Sequence, residues 1–155
     1  SFREAIEKHS KRLQLSITAG DKAAQGRALS SLATVYQSKS EFGRAIKLHE
    51  EAVSIAEQVR DPVTHAGSLS NLGNIWGTIG RFGKSLRFYE EALQIYKEIE
   101  DLEGQGRVSG NMGGIYCLFG DYRQALSLHQ RLYEIAQQSQ DKPAMARACG
   151  GLGNT

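Results

Sequence analysis

Absences bound this chain first. Of its 155 residues only two are proline and two are cysteine. Two prolines leave no room for a long Pro-rich linker or a Pro-rich disordered segment. Two cysteines, Cys117 and Cys149, could pair, but a helical chain long enough to bury a core has little need of a staple. Both read as reduced, buried small hydrophobes, a usage that favours a cytoplasmic protein. No stretch approaches the roughly 18 uninterrupted apolar residues that cross a bilayer. The opening "SFREAIEKHSKRLQL" is charged and amphipathic, unlike a secretory leader. Basic residues never run beyond a pair such as Lys11-Arg12, and a formal net charge of +2 is too small for an electrostatic nucleic-acid binder. Neither membrane nor nucleic acid is an expected partner.

What is present is periodic. Asp21, Asp61, Asp101 and Asp141 recur every 40 residues. Aligned on that spacing, "DKAAQGRALSSLATVYQSKSEFGRAIKLHEEAVSIAEQVR", "DPVTHAGSLSNLGNIWGTIGRFGKSLRFYEEALQIYKEIE" and "DLEGQGRVSGNMGGIYCLFGDYRQALSLHQRLYEIAQQSQ" share one grammar. A fixed period of this size marks a stacked array and outranks any local motif. Each unit carries two apolar stripes at helical spacing. The first runs Leu29, Leu32, Ala33, Tyr36, then Leu69, Leu72, Gly73, Trp76, and more weakly Ser109, Met112, Gly113, Tyr116. The second runs Phe42, Ala45, Ile46, His49, Ala52, Val53, Ala56. It recurs as Phe82, Ser85, Leu86, Tyr89, Ala92, Leu93, Tyr96 and as Tyr122, Ala125, Leu126, His129, Leu132, Tyr133, Ala136.

The punctuation agrees with two helices per unit. Each leading Asp is placed to cap a helix by accepting from free first-turn N–H groups. Pro62 follows one of them at the first helical position, where its missing N–H costs nothing. Gly80 and Gly120 stand where a left-handed residue would close the first helix. Ala33, Gly73 and Gly113 are read as packing positions that admit a close helix, against the aromatic three places later. In the third unit Leu132 replaces Ala52 and Ala92, and Ser109 replaces Leu29 and Leu69, so its helix spacing is expected to differ.

These residues resemble the tetratricopeptide repeat family. The carrying pattern is Leu69-x2-Leu72-Gly73-x2-Trp76, then Gly80, Phe82, Ser85, Tyr89 and Ala92. Repeats of that family are about 34 residues long, whereas these are 40. The phrasing "GRAL", "NLGN" and "HEEA" is most similar to the subgroup of Partner of Inscuteable and its LGN relatives, with kinesin light chains a more distant likeness. The resemblance implies an all-α, right-handed superhelical solenoid of antiparallel helix pairs.

Phe2, Ala5, Ile6, His9 and Leu13 fall in register with Phe42, Ala45, Ile46, His49 and Val53. Residues 1–20 therefore read as an orphan second helix, 21–60, 61–100 and 101–140 as repeats, and 141–155 as an orphan first helix. A piece of a longer array is the expectation, since terminal repeats normally turn a polar face outward. The orphan helices are complementary, so head-to-tail self-association of copies is one outcome; a monomer with frayed ends is the other.

Chemistry is scarce. His9, His49 and His129 occupy one repeat position, roughly 16–20 Å apart in successive units, too far to share a metal ion. They read as packing residues with a polar tip, and His65 as a solvated one. Cys117 has no local histidine. Glu50-Glu51 and Glu90-Glu91 are neighbours whose side chains diverge on a helix, so they read as solvated. No phosphate-loop spacing occurs. Neither an enzyme nor a cofactor site is expected.

Surface remains. Off the packing stripe of the first helices lie Arg27, Ser30, Ser31, Thr34, Ser70, Asn71, Asn74, Arg107, Asn111, Arg147 and Asn154, where Lys and Glu would be ordinary. Asn is a poor helix former, but its amide donates and accepts, which suits a peptide backbone; Arg adds a forked donor for carboxylates. The resemblance implies that Arg27, Asn71, Asn74, Arg107, Asn111, Arg147 and Asn154 bind an extended, acidic segment of a partner protein in the concave groove. Ser31, Gly67, Gly114 and Gly151 interrupt that ladder. The lysine clamp of chaperone-binding relatives is missing, with Ser30, Ser70 and Gly110 in its place. The alternatives are a peptide-sensing array that controls an attached output domain, and a purely structural segment.

Overall fold

The computed structural model describes residues 1–138, 140 and 142–153, except the side chains of Lys142, Ala144, Ala146, Arg147 and Cys149. Among the described residues the regular structure is helical throughout: α1 (Phe2–Ala19), α2 (Lys22–Ser38), α3 (Phe42–Gln58), α4 (Pro62–Thr78), α5 (Phe82–Glu98), α6 (Leu102–Leu118), α7 (Tyr122–Gln138) and α8 (Lys142–Gly153). They stack as antiparallel pairs. Each helix packs on the next one along the chain, and α2, α4, α6 and α8 also touch one another in succession. No such contact joins α3 to α5 or α5 to α7. The array therefore curves with α2, α4 and α6 on its inner side.

The boundaries follow from capping chemistry. Asp21, Asp61 and Asp101 accept from the amides of Ala24, Thr64 and Gly104 at 2.9, 3.1 and 3.0 Å, which satisfies a donor that the helix leaves open. Asp141 lies outside the described residues. Pro62 occupies the first turn of α4. Every helix that can be followed to its end closes on a left-handed residue. These are Gly20, Gly80 and Gly120, but also Ser40, Arg60, Glu100 and Gln140, at φ of 53 to 60°. Gly80 and Gly120 were legible in the sequence; Gly20 and the four side-chain-bearing positions were not.

Packing corrects the expected role of Gly73. The ring it admits belongs to Tyr89 on α5, not to Trp76 three places later. A Cβ on Gly73 would lie 2.6 Å from Tyr89 ring carbons, and one on Gly113 would lie 2.9 Å from His129. The first repeat keeps Ala33 there, opposite the shorter His49 position. The substitution at Leu132 is accommodated in the same way. Its methyls reach the space that a Cβ would take at Gly106 and Gly110, 3.2 and 3.0 Å away, so small residues on α6 absorb the larger one on α7.

Most of both stripes is buried, with Leu29, Leu72, Ala45, Ala92 and Ala125 among the most enclosed. Ile55, Ile75, Val108, Ile115 and Ile135 join the core from positions outside the stripes. Two stripe residues depart: Tyr122 and Leu126 are 53% and 40% exposed. Cys117 is a free, half-buried thiol rather than a core residue, and the side chain of Cys149 lies outside the described residues. His65 is half-buried rather than solvated, while Glu50, Glu51, Glu90 and Glu91 are exposed as read.

Candidate functional site

The inner face is built from α2, α4 and α6, which carry Arg27, Asn71, Asn74, Arg107 and Asn111. Arg147 belongs to α8, with its side chain outside the described residues; Asn154 lies outside them altogether. Helical spacing puts Asn71 and Asn74 on one face of α4, and Arg107 and Asn111 on the matching face of α6.

Asn74 and Asn111 meet across the two repeats. The Asn111 Nδ2 donates to Asn74 Oδ1 at 2.9 Å, and the Tyr89 hydroxyl donates to the same oxygen at 2.6 Å. Gly73 makes this possible, because the phenol reaches the groove only through the space its missing Cβ leaves. Beneath the same glycine, Ser85 Oγ donates to the Gly73 carbonyl at 2.6 Å. Each partner keeps unused capacity toward the groove: the Asn74 amide donors and Asn111 Oδ1 have no bond among the described residues. Asn71, half-exposed, makes none.

The arginines are also partly engaged. Arg107 Nη2 donates to the Tyr96 hydroxyl at 2.9 Å, and its Nη1 lies 3.9 Å from the Glu103 carboxylate. Burial raises the Tyr96 phenol pKa, and the adjacent guanidinium opposes that shift. Arg27 Nη1 donates to Asp61 Oδ2 at 3.4 Å, tying α2 to the cap of α4. Burial alone would raise the Asp61 pKa. The Thr64 amide and hydroxyl and the Arg27 guanidinium outweigh it, so the carboxyl sits below its ordinary value. Arg27 is thus set apart from the asparagine pair, whereas Arg107 and Asn111 line one cavity together.

Ser70 is not a groove residue: it is 1% exposed, and its hydroxyl finds no partner among the described residues. Ser30 is half-buried and accepts from Ser68 Oγ at 3.0 Å. Ser31 and Thr34 turn their hydroxyls back to carbonyls of their own helix. Conversely, Tyr89 and Tyr96 were read as packing residues, yet their hydroxyls hold groove side chains. The available signal was the small residue facing each ring, Gly73 for Tyr89 and Gly104 for Tyr96.

His49 and His129 are buried, and burial lowers the pKa of both; that of His49 falls to about 4. Among the described residues no three His, Cys, Asp or Glu side chains gather closely enough to hold a metal ion. No described helix is long and apolar enough to cross a membrane.

Among solved structures, the array is similar to BtubC (BKLC) from P. vanneervenii, with a TM-score of 0.81 and 24% identity over 99% of this chain and 65% of that one. Aspartyl phosphate phosphatase F from Bacillus subtilis has a TM-score of 0.79 and 15% identity, over 93% of this chain and 44% of that one. A putative kinesin light chain of Podosopora anserina with nearly identical TPR-like repeats scores 0.76 at 16% identity, over 97% and 75%. The chain thus spans less than two thirds of the first two, and likeness at these identities concerns the fold. No curated protein matches the sequence. Tetratricopeptide repeat profiles match residues 28–63 and 64–138 in turn; carried on stacked antiparallel helix pairs, those matches make the chain a member of the tetratricopeptide repeat family.

Proposed function

We propose that the inner face binds an extended, acidic segment of a partner protein. Repeats of this family generally serve protein–protein interaction, and the finer reading rests on one observation. The inner helices present amide and guanidinium groups whose bonding capacity is only partly used among the described residues: Asn71 makes no bond there, Asn74 and Asn111 are half used, and Arg107 is held at one edge by Tyr96. Amides satisfy the N–H and C=O groups of an extended backbone, and guanidinium groups select carboxylates. The phrasing shared with Partner of Inscuteable-like repeats supports the same reading.

Asn71 gives the cleanest test because it has no bond among the described residues to lose. Asn71→Ala should leave the melting temperature unchanged and weaken an acidic partner peptide about five- to tenfold, the effect of losing one or two hydrogen bonds. Unchanged affinity in a calorimetric titration would remove Asn71 from the groove. A second reading, a sensor array governing an attached output domain, draws on the likeness to aspartyl phosphate phosphatase F. It would show as an output activity that changes on peptide binding.

A further inference from the structure

The turns that join the two helices of each repeat lie along one edge of the array rather than on its inner face, and their chemistry changes from repeat to repeat. Lys39, Ile79 and Phe119 share one position, Ser38, Thr78 and Leu118 the one before it, and Glu41, Arg81 and Asp121 a third. The first turn neutralises itself: Glu41 pairs with Lys39 at 2.6 Å and with Arg44 at 2.9 Å. In the second turn Arg81 replaces the acid. Arg81 and Lys84 form no ion pair among the described residues. Asp121 in the third turn caps its own helix, accepting from the Gln124 amide at 3.2 Å.

Where the acid disappears, apolar side chains emerge. Ile79 is 43% exposed, Phe119 56% and Leu118 69%. The exposure of Ile79 owes nothing to where the sequence stops, because the turn of the third repeat follows it. Between the second and third turns lies a pocket of about 540 Å³. Its walls are the rings of Trp76, Phe82 and Phe119, its rim carries Arg81 and Lys84, and no carboxylate lines it. Gly83 leaves the mouth clear, since a Cβ there would meet nothing within 4 Å among the described residues. Phe82 and Phe119 meet edge to face with centroids 5.7 Å apart, so two walls are set before anything binds. Lys84 Nζ lies 3.7 Å from the centre of the Trp76 ring, which holds the ammonium beside the pocket.

Apolar walls under an uncompensated basic rim define what fits. We infer that this edge docks a short segment of a partner protein in which a large apolar side chain stands next to an Asp or Glu. The apolar side chain fills the pocket against Phe82 and Phe119. The carboxylate reaches Arg81 and Lys84 from outside, doing between molecules what Glu41 does within the first turn. An enclosed apolar anchor beside a charge-assisted contact concentrates binding energy on a small patch. The site is separate from the inner-face amides and stands whether or not they bind a peptide. A lipid surface fits less well, because it meets Leu118 and Phe119 but not the half-buried Trp76 and Phe82. A second copy related by a two-fold axis would set Arg81 and Lys84 against their own equivalents.

Trp76 is the only tryptophan of the chain, so its fluorescence reports on the pocket directly. The test selects a phage-displayed random-peptide library on the whole chain and titrates the enriched peptides by Trp76 emission. Three altered chains address the edge. Arg81→Gln with Lys84→Gln removes the rim charges, Gly83→Leu occupies the mouth, and Ile79→Lys with Arg81→Glu installs on the second turn the ion pair that the first turn uses. Asn71→Ala alters only the inner face, and circular dichroism confirms helicity in all four. Peptides sharing a large apolar residue beside an Asp or Glu should be enriched and should shift the emission. They should bind at least about tenfold more weakly to each chain altered at the edge and unchanged to Asn71→Ala. Enriched peptides that weaken only in Asn71→Ala overturn the inference and leave the inner-face reading standing. Acidic peptides that bind Gly83→Leu as well as the unaltered chain also overturn it, and enrichment of nothing removes both readings. Binding to phosphatidylserine vesicles that is lost in Arg81→Gln with Lys84→Gln would assign the edge to a membrane instead. A doubled mass in light scattering that Gly83→Leu returns to one chain would assign it to a second copy, and either result sinks the proposal.

Discussion

The α4/α6 and α6/α8 junctions occupy equivalent places in the array and have opposite characters. At the first, Tyr89 passes Gly73 to reach Asn74, which Asn111 reaches from the next repeat. At the second, the His129 ring packs on Gly113 and on Gly151 of α8, Gly114 stands in place of Asn74, and Gly151 in place of Asn111. One junction is zipped by amides, and the other closes on the His129 ring beside a cavity. The repeat thus fixes where a groove residue sits, while its neighbours decide whether that residue holds the array together or faces a ligand.

The zipped junction should break most severely at Gly73. Gly73→Ala places a Cβ 2.6 Å from the Tyr89 ring, an overlap that backbone or ring must relieve at about 2–3 kcal/mol. Urea denaturation should show that loss. The double variant Gly73→Ala with Tyr89→His recreates the Ala33 and His49 combination of the first repeat and should recover most of it. If the single variant keeps wild-type stability, the glycine is not what admits the phenol.

The histidine versions of this position add a dependence on pH that the tyrosine version lacks. His49 is fully buried, with both ring nitrogens unpartnered among the described residues, and burial lowers its pKa to about 4. Well above pH 6.5 the ring is neutral whether folded or unfolded, and it contributes nothing to the slope. As pH falls from 6.5 toward 4 the unfolded chain takes up the proton first, so stability declines across that window. The loss levels off below about pH 4, after roughly 3 kcal/mol at ~1.4 kcal/mol per pH unit. His49→Phe should flatten this part of the profile in equilibrium unfolding. An unchanged acid limb would mean that His49 does not set it; Asp61, held below its ordinary value, acts only at lower pH.

Smaller effects separate the amide bridge from the ring. Tyr89→Phe and Asn74→Ala should each cost about 1–2 kcal/mol, the toll for a hydrogen bond lost inside a half-buried network. Because both remove the same bond, the double variant should cost clearly less than the sum. Strict additivity in a double-mutant cycle would show that the Tyr89 hydroxyl and Asn74 act independently.

Much of this was legible before any coordinates. The 40-residue spacing, the Asp caps and the alternating stripes fix the helix order, because each states a local physical need at a regular position. The groove was legible as a set of residues but not as a set of bonds. Asn74 stood out as an unfavourable helical residue, and that oddity pointed to a ligand. Its oxygen is instead spent on Tyr89 and Asn111, whose contacts lie 15 and 37 residues away in the chain and leave no trace in local spacing. Ser70 looked like a groove residue by helical phase and proved buried, because curvature presses the inner helices together. Asn71, on the same face, kept the freedom its sequence context implied.

The smallest effect is the sharpest probe of the second junction, because it should run in the opposite direction. Gly113 and Gly114 are adjacent on α6 yet differ in surroundings: a Cβ on Gly113 meets His129 at 2.9 Å, whereas one on Gly114 meets nothing within 4 Å among the described residues. Glycine in a helix interior costs about 0.5–1 kcal/mol relative to alanine. Gly114→Ala should therefore stabilise the chain by about that amount and raise the thermal midpoint by a few degrees. Gly113→Ala should lose stability, since the gain in helix propensity is outweighed by the ring it displaces. A stabilising Gly114→Ala would also show that nothing within the chain seats itself on that part of the groove. If alanine there destabilises instead, α8 closes over Gly114 in solution.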